Sequence, residues 1–376
     1  MKVLWLSPWM RPLARIHVEA LRAQGDDVML VTTDQHPESD APRDYEVVLD
    51  ARFKQARSWI PFVKALRAAR EFAPDVVVGE LVRDPRWLAF GALAPRVHLV
   101  HDDRPHDASE NRPAWERAIF DRWGRSADAT VTFSEYVADA VRRGTVPGAR
   151  TPVYSIPLTS DVDDERISAV VPASARRDLV LVGRINSYKN LDVVLSAWRR
   201  HVDGSGWRGD DLVIIGKGSI EGPLPPHTVH RNSPFRYDDE LGVMARAKAS
   251  LVHYRRASQS GVQVLSMQLG VAAIVSDRGA LPEFRTPGDP AIGVDDVDSL
   301  VAELDRLADP DTAFRRGLAA RTHYADTFAA DVVGTRLHSL LAAVAGLAPD
   351  SVQSRIPRVD VELRGLDAGG SRDPAS

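Results

Sequence analysis

The sequence predicts an α/β protein made of two Rossmann-like domains that face one another across a cleft. Short apolar runs alternate with stretches of helical periodicity along nearly the whole chain, the pattern of parallel strands joined by crossover helices. The 376 residues exceed what one core usually organises, since single cores stop growing near ~250–300 residues. Between Thr159 and Arg177 a polar, proline-bearing stretch interrupts the alternation, which then resumes. Such a composition shift reads as an interdomain linker.

The elements follow in order. Lys2–Ser7 is a buried strand, broken too soon by Pro8 to be a signal peptide. Leu13, Ile16, His17, Ala20 and Leu21 then mark a helix ended by Gly25, and Val28–Thr32 is a second strand. The turn after Ser7 lacks the glycine fingerprint of a dinucleotide fold. Glu46–Leu49, Asp75–Gly79, Arg96–Val100 and Ala129–Phe133 read as further strands, with helices over Lys54–Phe72, Asp84–Leu93, Pro113–Trp123 and Ser134–Arg143. Ser134 is the expected N-cap of the last. In the second half the strands are Asp178–Val182, Leu212–Ile215, a weaker one at Val229, Ala249–His253 and Ala272–Val275. Helices are expected at Leu191–His201, Tyr237–Ala245, Gly261–Leu269, Val297–Ala308, Thr312–Ala325 and Ala329–Val344.

Composition removes several function classes. A formal charge of −4 gives no electrostatic footprint for nucleic acid. Without cysteine there is no disulfide framework, no thiolate zinc site and no cysteine nucleophile, and a cytoplasmic setting fits. No run approaches the ~20 apolar residues of a membrane span. Residues 54–70 mix Trp59, Ile60, Phe62 and Val63 with Lys54, Arg57, Lys64, Arg67 and Arg70. A basic amphipathic helix of this kind can lie at the inner surface of an anionic membrane. A covering helix with solvated cations explains the same pattern and is preferred.

Two stretches carry chemistry. Gly183-Arg-Ile-Asn-Ser-Tyr-Lys189 sits where a strand hands over to a helix. Arg offers a bidentate fork and Lys a mobile point charge, a pair suited to a diphosphate at a strand end, although a surface turn with solvated cations is the competing reading. His101-Asp102-Asp103-Arg104-Pro105-His106 follows another strand end, where α/β folds keep their ligands. His101, Asp102, Asp103 and His106 could in principle ligate a metal, but neighbours on a loop point apart, and none is expected. Asp161-Val-Asp163 resembles a metal-binding pair and is better read as a solvated run in the linker.

Nearly the whole chain, to about Ala345, resembles retaining glycosyltransferases of family four, the GT-B group. Val182–Leu195, Leu212-Val-Ile-Ile-Gly216-Lys-Gly, Tyr254–Val262 and Gly270–Glu283 carry the likeness in order and spacing, and Val100-His101-Asp102 matches the acceptor-domain loop. The resemblance implies GT-B architecture and a hexosyltransferase: a nucleotide diphosphate sugar is the donor, a saccharide, lipid-linked or small-molecule acceptor receives the hexose, and no cofactor or metal is needed. It implies catalytic roles for His101, Arg184 and Lys189. Donor contacts fall to Gly183, Arg184, Lys189, Gly216, Gln259, Ser260, Gly261, Val262 and Glu283, and acceptor contacts to Asp102 and Arg104. It further implies an acceptor-binding domain over 1–165 and a nucleotide-sugar-binding domain over 166–330. A helix over 331–348 packs back on the first domain, and 349–376 is a disordered tail.

One departure stands out. The family usually has a pair of glutamates around the helix before Gly270, and Ala257–Ser266 contains no carboxylate. The stretch is closer to a Ser-Gly-Val variant of the loop, with Gln259 or Gln263 as partial substitutes. A binding protein that has lost turnover, or less readily a sugar-nucleotide epimerase, therefore stays as an alternative.

Overall fold

The computed structural model describes residues 1–104, 112–167 and 169–347, and the expected tail over 349–376 lies outside the described residues. The chain forms two fully parallel sheets. The first contains β1 (Lys2–Ser7), β2 (Asp27–Thr32), β3 (Glu46–Val48), β4 (Val76–Glu80), β5 (Arg96–Val100), β6 (Ala129–Thr132) and β7 (Val153–Ser155). Its order is β3-β2-β1-β4-β5-β6-β7. The second contains β8 (Leu179–Val182), β9 (Leu212–Ile215), β10 (Thr228–Arg231), β11 (Ala249–Val252), β12 (Ala272–Ser276) and β13 (Ala291–Ile292), in the order β10-β9-β8-β11-β12-β13. The central strands are apolar on both faces because helices cover both, hence runs such as Leu-Val-Leu-Val in β8.

This order positions the site. After β1 the chain winds outward to β3, then returns to place β4 on the other side of β1; β8 and β11 repeat the manoeuvre. Adjacent connections thus diverge at the C-terminal ends of β1/β4 and β8/β11, leaving a crevice at each place.

The expected helices are present as α1 (Arg11–Ala23), α2 (Trp59–Phe72), α3 (Ala114–Arg125), α4 (Glu135–Arg142), α5 (Leu191–Asp203), α6 (Tyr237–Arg246), α7 (Gly261–Gln268), α8 (Val297–Leu307), α9 (Pro310–Thr327) and α10 (Ala330–Val344). Ser134 caps α4 as expected, accepting from the Val137 amide at 3.2 Å. The stretch read as a helix at Asp84–Leu93 is a 3₁₀ helix over Pro85–Ala92, started by the Asp84 carboxylate accepting from the Arg86 amide. Edge strands β7 and β13 were not legible, being too short to show a period.

The polar stretch after Thr159 is not a loose tether. Val162 is buried, Gln268 Nε2 donates to its carbonyl at 3.0 Å, and Tyr237 donates its hydroxyl to Asp161 at 2.5 Å. The expectation of a solvated run at Asp161 is therefore corrected: folding onto α6 and α7 takes it partly out of water.

Helix α10 returns to the first half and lies on α1, where a Cβ on Gly334 would come within 2.6 Å of that of Ala20. His338 and Asp26 pair at 2.7 Å beside it. One apolar cluster joins Trp5, Leu13 and Phe133 to Met267, Phe284, Phe328 and Leu337, so the two halves share core. Among the described residues no helix is long and apolar enough to cross a membrane.

Candidate active site

Both crevices open into one cavity of about 330 Å³. From the first half it is lined by Met10, Leu13, His101 and Asp102; from the second by Gly183, Arg184, Lys189, Gln259, Ser260, Gly261 and Val262. The chain thus brings together residues widely separated in sequence, nearly all of them expected from it.

Gly183 follows β8 with φ of 104°, a conformation that suits glycine. A Cβ there would stand 3.2 Å from the Lys189 ammonium, so the glycine makes room for the lysine to fold back. Lys189 is 3% exposed, and its Nζ donates to the Val182 carbonyl at 3.0 Å and the Tyr254 hydroxyl at 2.7 Å. Burial, and then the neighbouring Arg184, bring its pKa down to about 7. A lysine so placed has no carboxylate paired with it among the described residues, and an anion entering the cavity would supply the counter-charge.

Facing it is the start of α7. Ser260 is the N-cap, its Oγ accepting from the Gln263 amide at 3.2 Å. The first amides of α7 favour negative charge there. A Cβ on Gly261 would meet nothing within 4 Å, so this helix end opens on space. Gln259 carries a buried Oε1 with no partner among the described residues.

On the opposite wall lies a pair whose acidic member the sequence reading missed. His101 Nε2 stands 2.5 Å from Glu80 Oε2, and Trp5 Nε1 donates to Glu80 Oε1 at 3.0 Å. Glu80 is fully buried at the end of β4, one strand over from Trp5 on β1. Burial pushes its carboxyl up, but the hydrogen bonds from His101 and Trp5 outweigh it and hold the group below the usual carboxylate range. An ionised Glu80 fixes the proton on His101 Nε2 and leaves Nδ1 as the other functional nitrogen. Beneath the pair His17 stacks between Trp5 and Phe133, kept neutral by burial, which brings its pKa to about 4.

Two expected donor residues lie off the cavity wall. Gly216 sits behind it, where a Cβ would come 2.0 Å from the Gly183 carbonyl oxygen; bare backbone is what lets β8 and β9 end side by side. Glu283 instead bridges the halves, accepting from the Glu135 and Tyr136 amides at 2.8 Å each, at the start of α4. Asp161 lines the cavity beside Phe235 and Tyr237, and burial raises its pKa. A carboxylate is therefore present, though on the linker and not on α7, where Leu265 is buried and Gln263 donates to the Leu281 carbonyl.

A second cavity of about 700 Å³ continues from His101 and Asp102 into the first half, and Arg104 lies on it. Arg104 pairs with Asp103 at 2.9 Å, and Asp103 also accepts from Ser258 Oγ across the domains. Of the four residues weighed as a metal set, His106 lies outside the described residues. Among the described residues no cluster of three or more His, Asp or Glu could hold a metal ion.

Two parallel α/β domains with a shared cleft at their strand ends are the GT-B architecture. Residues 14–157 match the family described as Glycosyltransferase Family 4, and residues 176–309 match Glycosyl transferases group 1. The chain is a glycosyltransferase of the GT-B type, and the reading as an enzyme of the hexosyltransferase class is borne out. No curated protein matches it in sequence. Among solved structures it is similar to sucrose-phosphate synthase from Thermosynechococcus elongatus (16% identity, TM-score 0.67, covering 93% of this chain and 100% of that one). Trehalose 6-phosphate synthase from Burkholderia multivorans gives 15%, 0.63, and 95% against 99%. Anabaena HepE, solved with UDP and glucose, gives 12%, 0.62, and 91% against 100%. At these identities the likeness is one of fold.

Proposed function

We propose that the chain transfers a hexose from a nucleoside diphosphate sugar to a saccharide or lipid-linked acceptor, with retention at the anomeric carbon. The observation that carries the donor assignment is Lys189, buried with no carboxylate partner among the described residues, beside Arg184 and opposite the open N-terminus of α7. Fixed cations and backbone amides in a dry site stabilise the charge that builds on a departing diphosphate. Asp161 and Gln259 offer acceptors for sugar or ribose hydroxyls, and Phe235 an aromatic face for a base. His101, oriented by Glu80, would hold the transferred sugar. In this reading no resident metal takes part.

Retention rests on the likeness to family four. It is tested by proton NMR of the hexose that the enzyme releases to water from the donor it binds. Release of the donor's own anomer, before mutarotation, is expected; the opposite anomer would refute retention. The carboxylate-free α7 favours a second reading, a binder without turnover, and a bound donor left unconsumed both by water and by every saccharide acceptor supplied with it would support that reading.

Two further outcomes follow from the geometry. Since a Cβ at residue 261 meets nothing within 4 Å and the residue lines the cavity, Gly261→Leu should fold normally and extend into the donor space. Nucleotide affinity should drop by roughly tenfold or more, a loss of about 1.4 kcal/mol, with an unchanged melting temperature. Donor binding should also depend on pH. The diphosphate favours the charged lysine, so above pH 7 binding must take up a proton. Affinity should then weaken by up to about tenfold per pH unit above ~7, and Lys189→Met should flatten that slope in a titration series.

Peripheral membrane contact is proposed through α2, where Trp59, Ile60 and Val63 are 47%, 66% and 59% exposed beside Lys54, Arg57, Lys64 and Arg67. Flotation with anionic but not neutral vesicles is expected, and its absence would leave α2 as a covering helix.

A further inference from the structure

The second cavity differs from the first in charge. Five arginines line it, Arg83, Arg104, Arg112, Arg117 and Arg125, against three acids, Asp102, Asp103 and Asp121. Two of the arginines are tied up: Arg104 with Asp103 at 2.9 Å and Arg112 with Asp121 at 2.6 Å. Arg83, Arg117 and Arg125 pair with no carboxylate among the described residues. Arg117, Asp121 and Arg125 lie four apart on α3, so they form one face of the helix, and that face borders the cavity. The floor is Leu81 to Arg83, directly after Glu80, where Leu81 takes φ of 49°. A bulky residue in that conformation is uncommon and concentrates at functional sites. Here it turns the chain from the buried Glu80 to the cavity wall within three residues.

His101 and Asp102 line both cavities, so whatever occupies the second one lies against the sugar position of the first. Resting on that reading of the first cavity, we infer that the acceptor is anionic: a saccharide bearing a phosphate. Its hydroxyl lies at His101 and its phosphate among Arg83, Arg117 and Arg125. Guanidinium forks suit phosphate oxygens through paired hydrogen bonds. At about 700 Å³ the space is ample for a sugar phosphate. The phosphate could belong to a free sugar phosphate or to a phospholipid head group, and the chemistry recognised is the same.

The test is a set of binding titrations on the full chain, carried out with the nucleotide that binds the first cavity already present. The probes are glucose, glucose 6-phosphate, and vesicles of phosphatidylcholine with or without phosphatidylinositol. The proteins are wild type, Arg83→Gln and the double variant Arg117→Gln/Arg125→Gln, and in the vesicle arm all three also carry Ile60→Glu and Val63→Glu, so that the exposed face of α2 does not itself bind the bilayer. Glucose 6-phosphate, phosphatidylinositol vesicles or both should bind roughly tenfold or more tightly than the uncharged counterpart, the successful arm identifying the source. That preference should shrink as salt rises from ~0.05 to ~0.3 M. The double variant should lose it while keeping nucleotide affinity, which also shows that it is folded. A wild type with no preference for phosphate, or a preference that survives both variants, would overturn the inference. Failure of nucleotide to bind the wild type would count against the donor site instead.

Discussion

Lys189→Met should cut turnover by roughly 10²–10³-fold, the cost of removing one preorganised donor to a developing anion. Methionine keeps the length of the side chain and removes the charge and hydrogen bonds to Val182 and Tyr254. The fold should not suffer. An unfolded lysine holds its proton to about pH 10.5, whereas Lys189 releases it near 7. Below pH 7 the folded chain therefore carries a buried cation at a cost, relieved as pH rises from 7 towards 10.5. Replacing it with an apolar residue of similar length removes that cost, which offsets the hydrogen bonds lost at Val182 and Tyr254. A variant that is slow yet melts at or above the wild-type temperature at pH 6 is the expected result. A variant as active as wild type, or one that simply unfolds, would show that Lys189 is a structural residue.

The second large effect concerns Glu80. In Glu80→Gln the oxygen can still accept from Trp5, but the amide presents N–H to His101 Nε2. The imidazole must then accept at Nε2, which moves its proton to Nδ1 and reverses the role of that nitrogen in the cavity. Loss of a correctly protonated group costs roughly 10²–10⁴-fold. Turnover should fall in that range, with nucleotide affinity at the distant diphosphate end unchanged. Glu80→Ala goes further. It leaves the Trp5 N–H unpaired in a dry interior, at a cost of about 1–3 kcal/mol, so its melting temperature should drop while that of Glu80→Gln holds. Wild-type turnover in Glu80→Gln would show that the pair only supports the fold.

Much of this arrangement is legible in the chain itself, for a physical reason. Strands buried on both faces, such as β1 and β8, must be continuous apolar runs, and a cation pair after such a strand is conspicuous. Glu80 was not legible as a site residue, because its meaning depends on strand order. Only when β4 docks beside β1 do Trp5 and Glu80, 75 residues apart, become partners. Asp161 misled for a similar reason. Its polar neighbourhood reads as solvated linker until Tyr237 and the cavity wall fold over it. Glu283 sits in a stretch that resembles a donor loop, yet its carboxylate caps α4 of the other half. Arg117 and Arg125, two turns apart on α3 with Asp121 between them, look like any solvated helix face until the second cavity is seen beneath them.

A diphosphate held by Lys189, Arg184 and the start of α7 makes nucleotide binding depend on Arg184. Isothermal titration with UDP, GDP, ADP and dTDP, on wild type and Arg184→Ala, tests it most directly. One nucleotide should bind the wild type, and bind Arg184→Ala at least roughly tenfold more weakly, about 1.4 kcal/mol or more. Equal binding to both proteins, or no binding of any nucleotide to folded wild type, would contradict the account.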